Sequence, residues 1–169
     1  KQYDGSKRLI RLATNGDILG HRGFGGSWKY PISAYTLEES QISFIPVNIF
    51  NTVAKANAEF SYHLMMFFAE ELRQSEAIIN HYPVKNLVAK ALHDNYRVFG
   101  FESEKSTKLS YTLTRKDIAS LAGTTYETVV RTLAEFNKKN IINIDGKTIH
   151  ILDLIELENI ANPEYKQVE

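Results

Sequence analysis

From Ala58 to Asn80 the chain carries neither glycine nor proline, and Phe60, Leu64, Phe67, Phe68, Leu72, Ser75 and Ile79 recur at spacings of three and four. That recurrence is one face of a helix, roughly 33 Å long at 1.5 Å rise per residue. Tyr82–Pro83 interrupts it. Proline lacks an N–H and restricts the residue before it, so a helix boundary falls there. Proline is tolerated in a first turn, and Val84 to Leu92 continues as a new helix. Upstream the pattern changes. Lys7–Ala13, Ser33–Leu37 and Gln41–Ile45 read as strands, bounded by the turn signal Thr14–Asn15–Gly16–Asp17 and by Pro46. A short apolar run at Ile18–Gly20 precedes a glycine-rich loop, Gly23–Ser27. Short strands at this spacing predict a sandwich or barrel, with a sheet that looks incomplete.

Past a polar linker at Gly100–Thr107, the stretch Leu113–Leu133 predicts two short helices. Thr114 can cap the first, with Asp117 three residues on. Ile118, Leu121 and Ala122 form its buried side, and Gly123 supplies the left-handed residue that ends it. Thr124 or Thr125 caps the second, whose apolar face is Val129, Val130 and Leu133. Two short helices joined by a tight glycine turn make a helix-turn-helix. Asn140–Leu152 then alternates apolar and polar residues around Asp145–Gly146, which predicts a hairpin with a type I′ turn. The hairpin is a wing, with Lys147 at its tip.

The 169 residues suffice for two small domains, divided here as 1–82 and 83–169. No apolar run approaches the length of a membrane span, so no membrane contact is expected and the chain reads as cytoplasmic. There are no cysteines, which removes disulfides and Cys-ligated clusters from these residues. The five histidines, His21, His63, His81, His93 and His150, are scattered without metal-site spacing. No serine sits in a nucleophile-elbow sequence. No metal site and no enzyme are expected. The net charge is zero, yet Lys105–Lys147 holds eight basic and four acidic residues. A basic segment on a neutral chain suits DNA phosphates.

The segment Thr114–Leu133 with its wing resembles the DNA-binding domain of the CRP/FNR family, relatives of the cyclic AMP receptor protein. Glu127–Thr128–Val129–Val130–Arg131 is similar to the family's recognition-helix motif, E-T-[VI]-x-R. Asn15–Gly16–Asp17–Ile18–Leu19–Gly20 resembles the P-G-D-x-x-G turn of its effector-binding β-roll, and Ser33–Ala34 a later S-A of that pocket. The resemblance covers essentially the whole chain. It implies an α+β fold: a partial cyclic-nucleotide-binding-like β-roll (jelly roll) without its N-terminal part, a long dimerisation helix, and a C-terminal winged helix-turn-helix. The expected protein is a bacterial homodimeric transcription regulator bound to a pseudo-palindromic duplex operator, with RNA polymerase as a further partner if it activates. The alternative is a ligand-binding or protein-interaction module whose winged helix does not read DNA.

On this reading Tyr126, Glu127 and Arg131 read bases. An arginine can bond O6 and N7 of guanine together, and a glutamate can accept from cytosine N4. The competing roles are a capping box of Glu127 with Thr124 and, for Arg131, a phosphate contact or an ion pair with Glu127 one turn away. Tyr126 stands where the cyclic AMP receptor protein has a base-reading arginine. Arg115, Lys116, Thr125, Thr128 and Lys147 are expected on phosphates, which position without specifying. Phe60, Leu64, Phe67, Phe68 and Leu72 are expected either to pack on the chain's own sheet or to pair with a second copy, the second being preferred. Gly20, His21, Ser33 and Ala34 would line the effector pocket. In relatives that bind cyclic AMP, a glutamate and an arginine hold the ribose and phosphate where His21 and Ile32 stand here. A buried phosphate without its charge partner is costly. The effector is therefore expected to be an unknown small molecule other than cyclic AMP bound in the usual mode.

Overall fold

The computed structural model describes residues 8–23, 29–30, 32–80 and 82–163. Lys7, Phe24–Ser27 of the glycine-rich loop and His81 lie outside the described residues, as does the Ile79 side chain. The chain divides into two compact units: Gly16–Ala77, and Lys1–Asn15 together with Ile78–Glu169.

In the first of these, helix α1 covers Val47–Ala56. Pro46 stands at its N-cap with φ −58°, a value its ring imposes and a helix start accepts. The hydrophobic pattern does not mark α1, whose Val47, Ile49, Phe50 and Val53 follow directly on the expected strand at 41–45. Asn57 is extended and ends it. The same Asn57 offers Oδ1 to the Phe60 N–H at 2.9 Å, which caps the next helix. Helix α2 then covers Ala58–Asn80, the span the periodicity predicts.

The expected strands at 33–37 and 41–45 are corrected by the structure. Among the described residues of 8–46 there is no strand, only a turn at Asn15–Gly16, a single 3-10 turn at His21–Gly23, bends and irregular chain. The physical reason is the lack of a neighbour: a lone strand leaves its own amides and carbonyls unpaired, and strands gain stability only in sheets. Side chains that a packed roll would cover lie open, Phe44 being 84% exposed. The α+β class holds, with the segment expected as a roll present as irregular chain.

The other unit is built on α3, Val84–Phe99, with Val88, Ala89, Ala91, Leu92 and Asn95 buried along one face. Helix α4, Arg115–Ala122, and helix α5, Tyr126–Lys138, follow. Strands β1, Ile142–Asp145, and β2, Thr148–Ile151, pair antiparallel, with Ile142 opposite Ile151 and Asp145 opposite Thr148. Helix α6, Leu154–Ala161, packs on α3. The sequence pattern did not single α6 out. Asn86 Nδ2 donates to the Ile160 carbonyl at 2.8 Å and ties the two helices. The core joins Leu92, Ile118, Val129, Leu133, Phe136 and Ile149, all at most 1% exposed. Lys7–Ala13, expected as a strand, forms no ladder where it is described. Residues 8–15 instead lie within this unit: Leu12 is buried in its core, and the Leu9 N–H donates to Ser120 Oγ at 2.7 Å. The supposed linker carries structure of its own. Thr107–Leu109 runs beside β2, with the Ile151 N–H donating to the Thr107 carbonyl at 2.8 Å.

Candidate nucleic-acid interface

Thr114 caps α4 as the spacing predicts. Its Oγ1 accepts from the Asp117 N–H at 3.1 Å, and Asp117 Oδ2 accepts from the Thr114 N–H at 3.1 Å, a reciprocal capping box. Gly123 ends the helix at φ 62°, ψ 34°, left-handed backbone that a Cβ disfavours. The chain then turns at once into α5, whose N-cap is Thr125: Oγ1 accepts from the Thr128 N–H at 3.2 Å.

The inward face of α5 is Val129, Thr132, Leu133 and Phe136. Its opposite face is exposed and carries Tyr126, Glu127, Val130, Arg131, Ala134 and Glu135. Tyr126, Glu127 and Arg131 are therefore brought onto one open surface. Glu127 makes no capping bond, because the cap falls on Thr125 and Thr128. Neither Glu127 nor Arg131 has a side-chain hydrogen bond or ion pair among the described residues. The capping box and the ion pair are thus unmade in the free chain among the described residues. Val130 is corrected: expected on the apolar inner face, it is 44% exposed on the outer one. Helical spacing from Val129 and Leu133 already turns it outward. A valine there offers an apolar surface of the kind that meets a thymine methyl.

The hairpin turn also differs from expectation. Asp145 pairs with Thr148, so the two-residue loop is Gly146–Lys147, one position later than predicted. Gly146 has φ 58°, and Lys147 is not among the positive-φ residues. Glycine at the first central position with only that φ positive is the signature of a type II′ turn. Asn137, which the pattern did not mark, accepts the Ile144 N–H on Oδ1 at 3.0 Å and holds β1 to the end of α5. Of the expected phosphate contacts, Lys116, Thr125 and Lys147 are exposed. Thr128 is half-buried, with its Oγ1 3.0 Å from that of Thr125. Arg115 is engaged inside the fold: Nη1 donates to the Lys147 carbonyl at 2.8 Å and Nη2 to the Gly146 carbonyl at 3.5 Å.

In the unit Gly16–Ala77, the expected pocket residues are only partly brought together. His21, buried, has Nδ1 3.0 Å from the Ile18 carbonyl and Nε2 3.3 Å from Glu71 Oε2, with its ring against Phe67 and Phe68. Gly20 has φ 86°, and a Cβ there would stand 2.8 Å from Tyr30 Cε1. Ser33 and Ala34 are exposed, and no described hydrogen bond joins them to His21. On α2, Phe60, Leu64, Phe67 and Phe68 are half-buried, Phe60 against Phe50 of α1 and the Phe67–Phe68 pair against His21. Leu72 alone of the five expected pairing residues is exposed. It lies beside a second apolar face, opposite the first, formed by Tyr62, Met65, Met66 and Ala69.

Residues 88–160 match the Crp-like helix-turn-helix domain. The chain is similar to the fumarate and nitrate reduction regulatory protein of Vibrio cholerae, 27% identical over 160 residues that cover 93% of this chain and 64% of the relative. It is similar also to the transcriptional activator protein anr of Pseudomonas aeruginosa, 26% identical over 163 residues, 93% of this chain and 65% of that one. The chain thus spans just under two thirds of the curated relatives it matches. Among solved structures, a CRP/FNR family transcriptional regulator from Thermus thermophilus aligns with TM-score 0.51 and 27% identity, over 60% of this chain and 52% of that one. FixK2 from Bradyrhizobium japonicum shares the fold with TM-score 0.53 at 22% identity, over 67% of this chain and 57% of that one.

A capped helix, a left-handed glycine, a second helix with an open polar face and a two-stranded wing define a winged helix-turn-helix domain. With the matches above, residues 88–160 form a Crp-like helix-turn-helix domain, and the chain is similar to regulators of the CRP/FNR family.

Proposed function

We propose that the chain is a sequence-specific regulator of transcription that binds duplex DNA through α5. The observation that carries this reading is the open face of α5, where Glu127 and Arg131 stand without partners among the described residues on a helix capped and buried on its other side. Such a face presents a bidentate donor and an acceptor to base edges in a major groove. Thr125, Thr128, Lys116 and Lys147 surround it with groups suited to phosphates. The relatives, a regulatory protein and a transcriptional activator, point the same way.

The division of labour follows. Residues 83–169 form the DNA-binding domain, and residues up to 82 hold the effector-sensing part and α2, with residues 8–15 packed on the DNA-binding unit. A second copy of the chain pairs along α2, which sets two recognition helices on a two-fold axis and calls for half-sites about one helical turn apart. The face that pairs is Tyr62, Met65, Met66, Ala69 and Leu72, since the Phe60–Phe68 side is covered within its own unit. The effector lies near Gly20 and His21. No helix of the described residues is long and apolar enough to cross a membrane.

The experiment is selection of duplexes from a random library by the purified chain, followed by gel shift at fixed salt. Arg131→Ala is expected to lose about 1–3 kcal/mol of discrimination at one base pair per half-site. Unchanged affinity and unchanged base preference in that variant would overturn the assignment.

A further inference from the structure

We propose that Arg115 is a positioning residue, which fixes the tip of the wing so that Lys147 is held ready for the DNA backbone. The proposal deepens the DNA-binding reading and rests on it. Its geometry is particular. Arg115 is the first residue of α4, and the Thr114–Asp117 capping box pins the backbone on which it stands. From there the guanidinium reaches the two successive carbonyls of the hairpin loop, Lys147 at 2.8 Å and Gly146 at 3.5 Å. A planar fork with donors on both terminal nitrogens suits two neighbouring acceptors, and an ionised donor makes each bond stronger than a neutral one.

The tip needs such a hold. The inner ends of the hairpin are fixed: Ile142, Ile149 and Ile151 are buried in the core, Thr107–Leu109 lies along β2, and Asn137 holds β1 at Ile144. Asp145, Gly146 and Lys147 are all exposed. A two-stranded ribbon of four-residue strands is marginal by itself. Among the described residues, the only side chain bonded to the loop's carbonyls is Arg115. Fixing the Lys147 carbonyl restricts the backbone that carries its ammonium; without that hold, ordering the tip costs more than one exposed phosphate contact returns, and the contact is not made.

Two roles for Arg115, clamp and phosphate contact, give different results. The duplex is the one selected by the wild-type chain, and the readout is the slope of log affinity against log salt concentration. Lys147→Ala is expected to reduce that slope by about one per bound subunit. As a clamp, Arg115→Ala reduces it by the same amount, and the double variant by no more than either single one. Arg115→Lys keeps the charge but has one ammonium in place of the fork, so it behaves as Arg115→Ala. As a phosphate contact, Arg115→Lys keeps the slope and the two alanine changes add to about two; either result overturns the proposal. A second measurement needs no DNA. Backbone 15N order parameters at Gly146 and Lys147 are expected to fall from the rigid range toward about 0.6 in Arg115→Ala, while those of α5 stay unchanged. If they do not fall, the clamp is refuted whatever the DNA data show. If the wild-type chain selects no duplex, the DNA-binding reading fails, and the order parameters alone decide on the clamp.

Discussion

Thr125 has two roles that a single substitution can separate. Its Oγ1 accepts the Thr128 N–H at 3.2 Å and lies 3.0 Å from Thr128 Oγ1, at the start of the helix proposed to enter the groove. Alanine removes the oxygen. The orphaned N–H is in an exposed turn and can turn to water, so the loss is that of an exposed cap, about 1 kcal/mol, and not the larger penalty of a buried unsatisfied donor. For a folding unit of roughly 100 residues this lowers the melting temperature by about 4–8 °C. Serine keeps the acceptor and should melt within a degree or so of the wild type, about 0.2 kcal/mol on the same scale. Aspartate also keeps it, and its charge favours the positive end of the helix dipole, so Thr125→Asp should melt at or above the wild-type temperature. Against DNA the order changes. A hydrogen bond to an ionised phosphate contributes about 1.5–3 kcal/mol, so alanine weakens binding roughly tenfold or more per subunit, serine leaves it nearly intact, and aspartate, which faces the phosphate with like charge, is the weakest of the three. Thermal melts and duplex titrations at one salt concentration read both orders. Thr125→Asp that melts as low as Thr125→Ala refutes the cap argument. Thr125→Asp that binds duplex like the wild type refutes a phosphate at that helix end.

Other expectations follow from separate parts of the chain. Gly123→Ala forces a Cβ into left-handed backbone, where it would also stand 2.9 Å from Arg8 Nη2; the flexible guanidinium can move away, so the cost is the backbone's, about 1–2 kcal/mol by denaturant midpoint. His93 is half-buried on α3, and burial pushes its pKa below the ordinary 6.5; Asp94 and Glu158 oppose that shift, while Lys90 and Arg97 reinforce it. The unfolded chain then binds the proton more readily than the folded one, so this contribution to stability is complete above about pH 6.5 and is lost as pH falls toward the folded value; His93→Gln should flatten the drop in melting temperature between about pH 7.5 and 5.5. Met65→Glu or Leu72→Glu should turn a dimer into monomers by sedimentation without unfolding α2, whereas Phe67→Ala should lower the melting temperature with the dimer intact; the reverse pattern would return the seam to the phenylalanine face. Cyclic AMP should show no binding at micromolar concentration by calorimetry, and a measurable isotherm would overturn the reading of His21 and Ile32.

What could be read without the structure was local. The Thr114–Asp117 box, the left-handed Gly123, the Thr125 cap and both ends of α2 each depend on residues within one or two helical turns, where sequence spacing is spatial spacing. What failed depended on neighbours far along the chain. Period two in Ser33–Leu37 and Gln41–Ile45 marks segments able to join a sheet, but pairing requires another edge, and none stands beside them among the described residues. Helix α1 was hidden because Val47, Ile49 and Val53 are β-branched and continue an apolar run. On α2, one stripe was visible where the helix has two. A three-four spacing identifies that a face is apolar, not whether its own chain or another covers it.

The open face of α5 was legible for the same local reason, and the pairing of the charges around it was not. Eight basic residues between Lys105 and Lys147 suggest a broad cationic surface. Two of them are committed elsewhere: Lys108 to Glu102 at 2.9 Å, and Arg115 to the wing loop, which lies 31 and 32 residues downstream. Neither partnership has a sequence signature, because each depends on where the chain returns. The consequence is quantitative. Each phosphate neutralised contributes about 0.9 to the salt slope, so a slope predicted by counting cations in this segment is too steep by nearly two per subunit. A measured slope that matched all eight would mean that Lys108 and Arg115 leave their internal partners when DNA binds. The wing would then be released at the moment its lysine is needed, the opposite of what the Arg115 geometry supports.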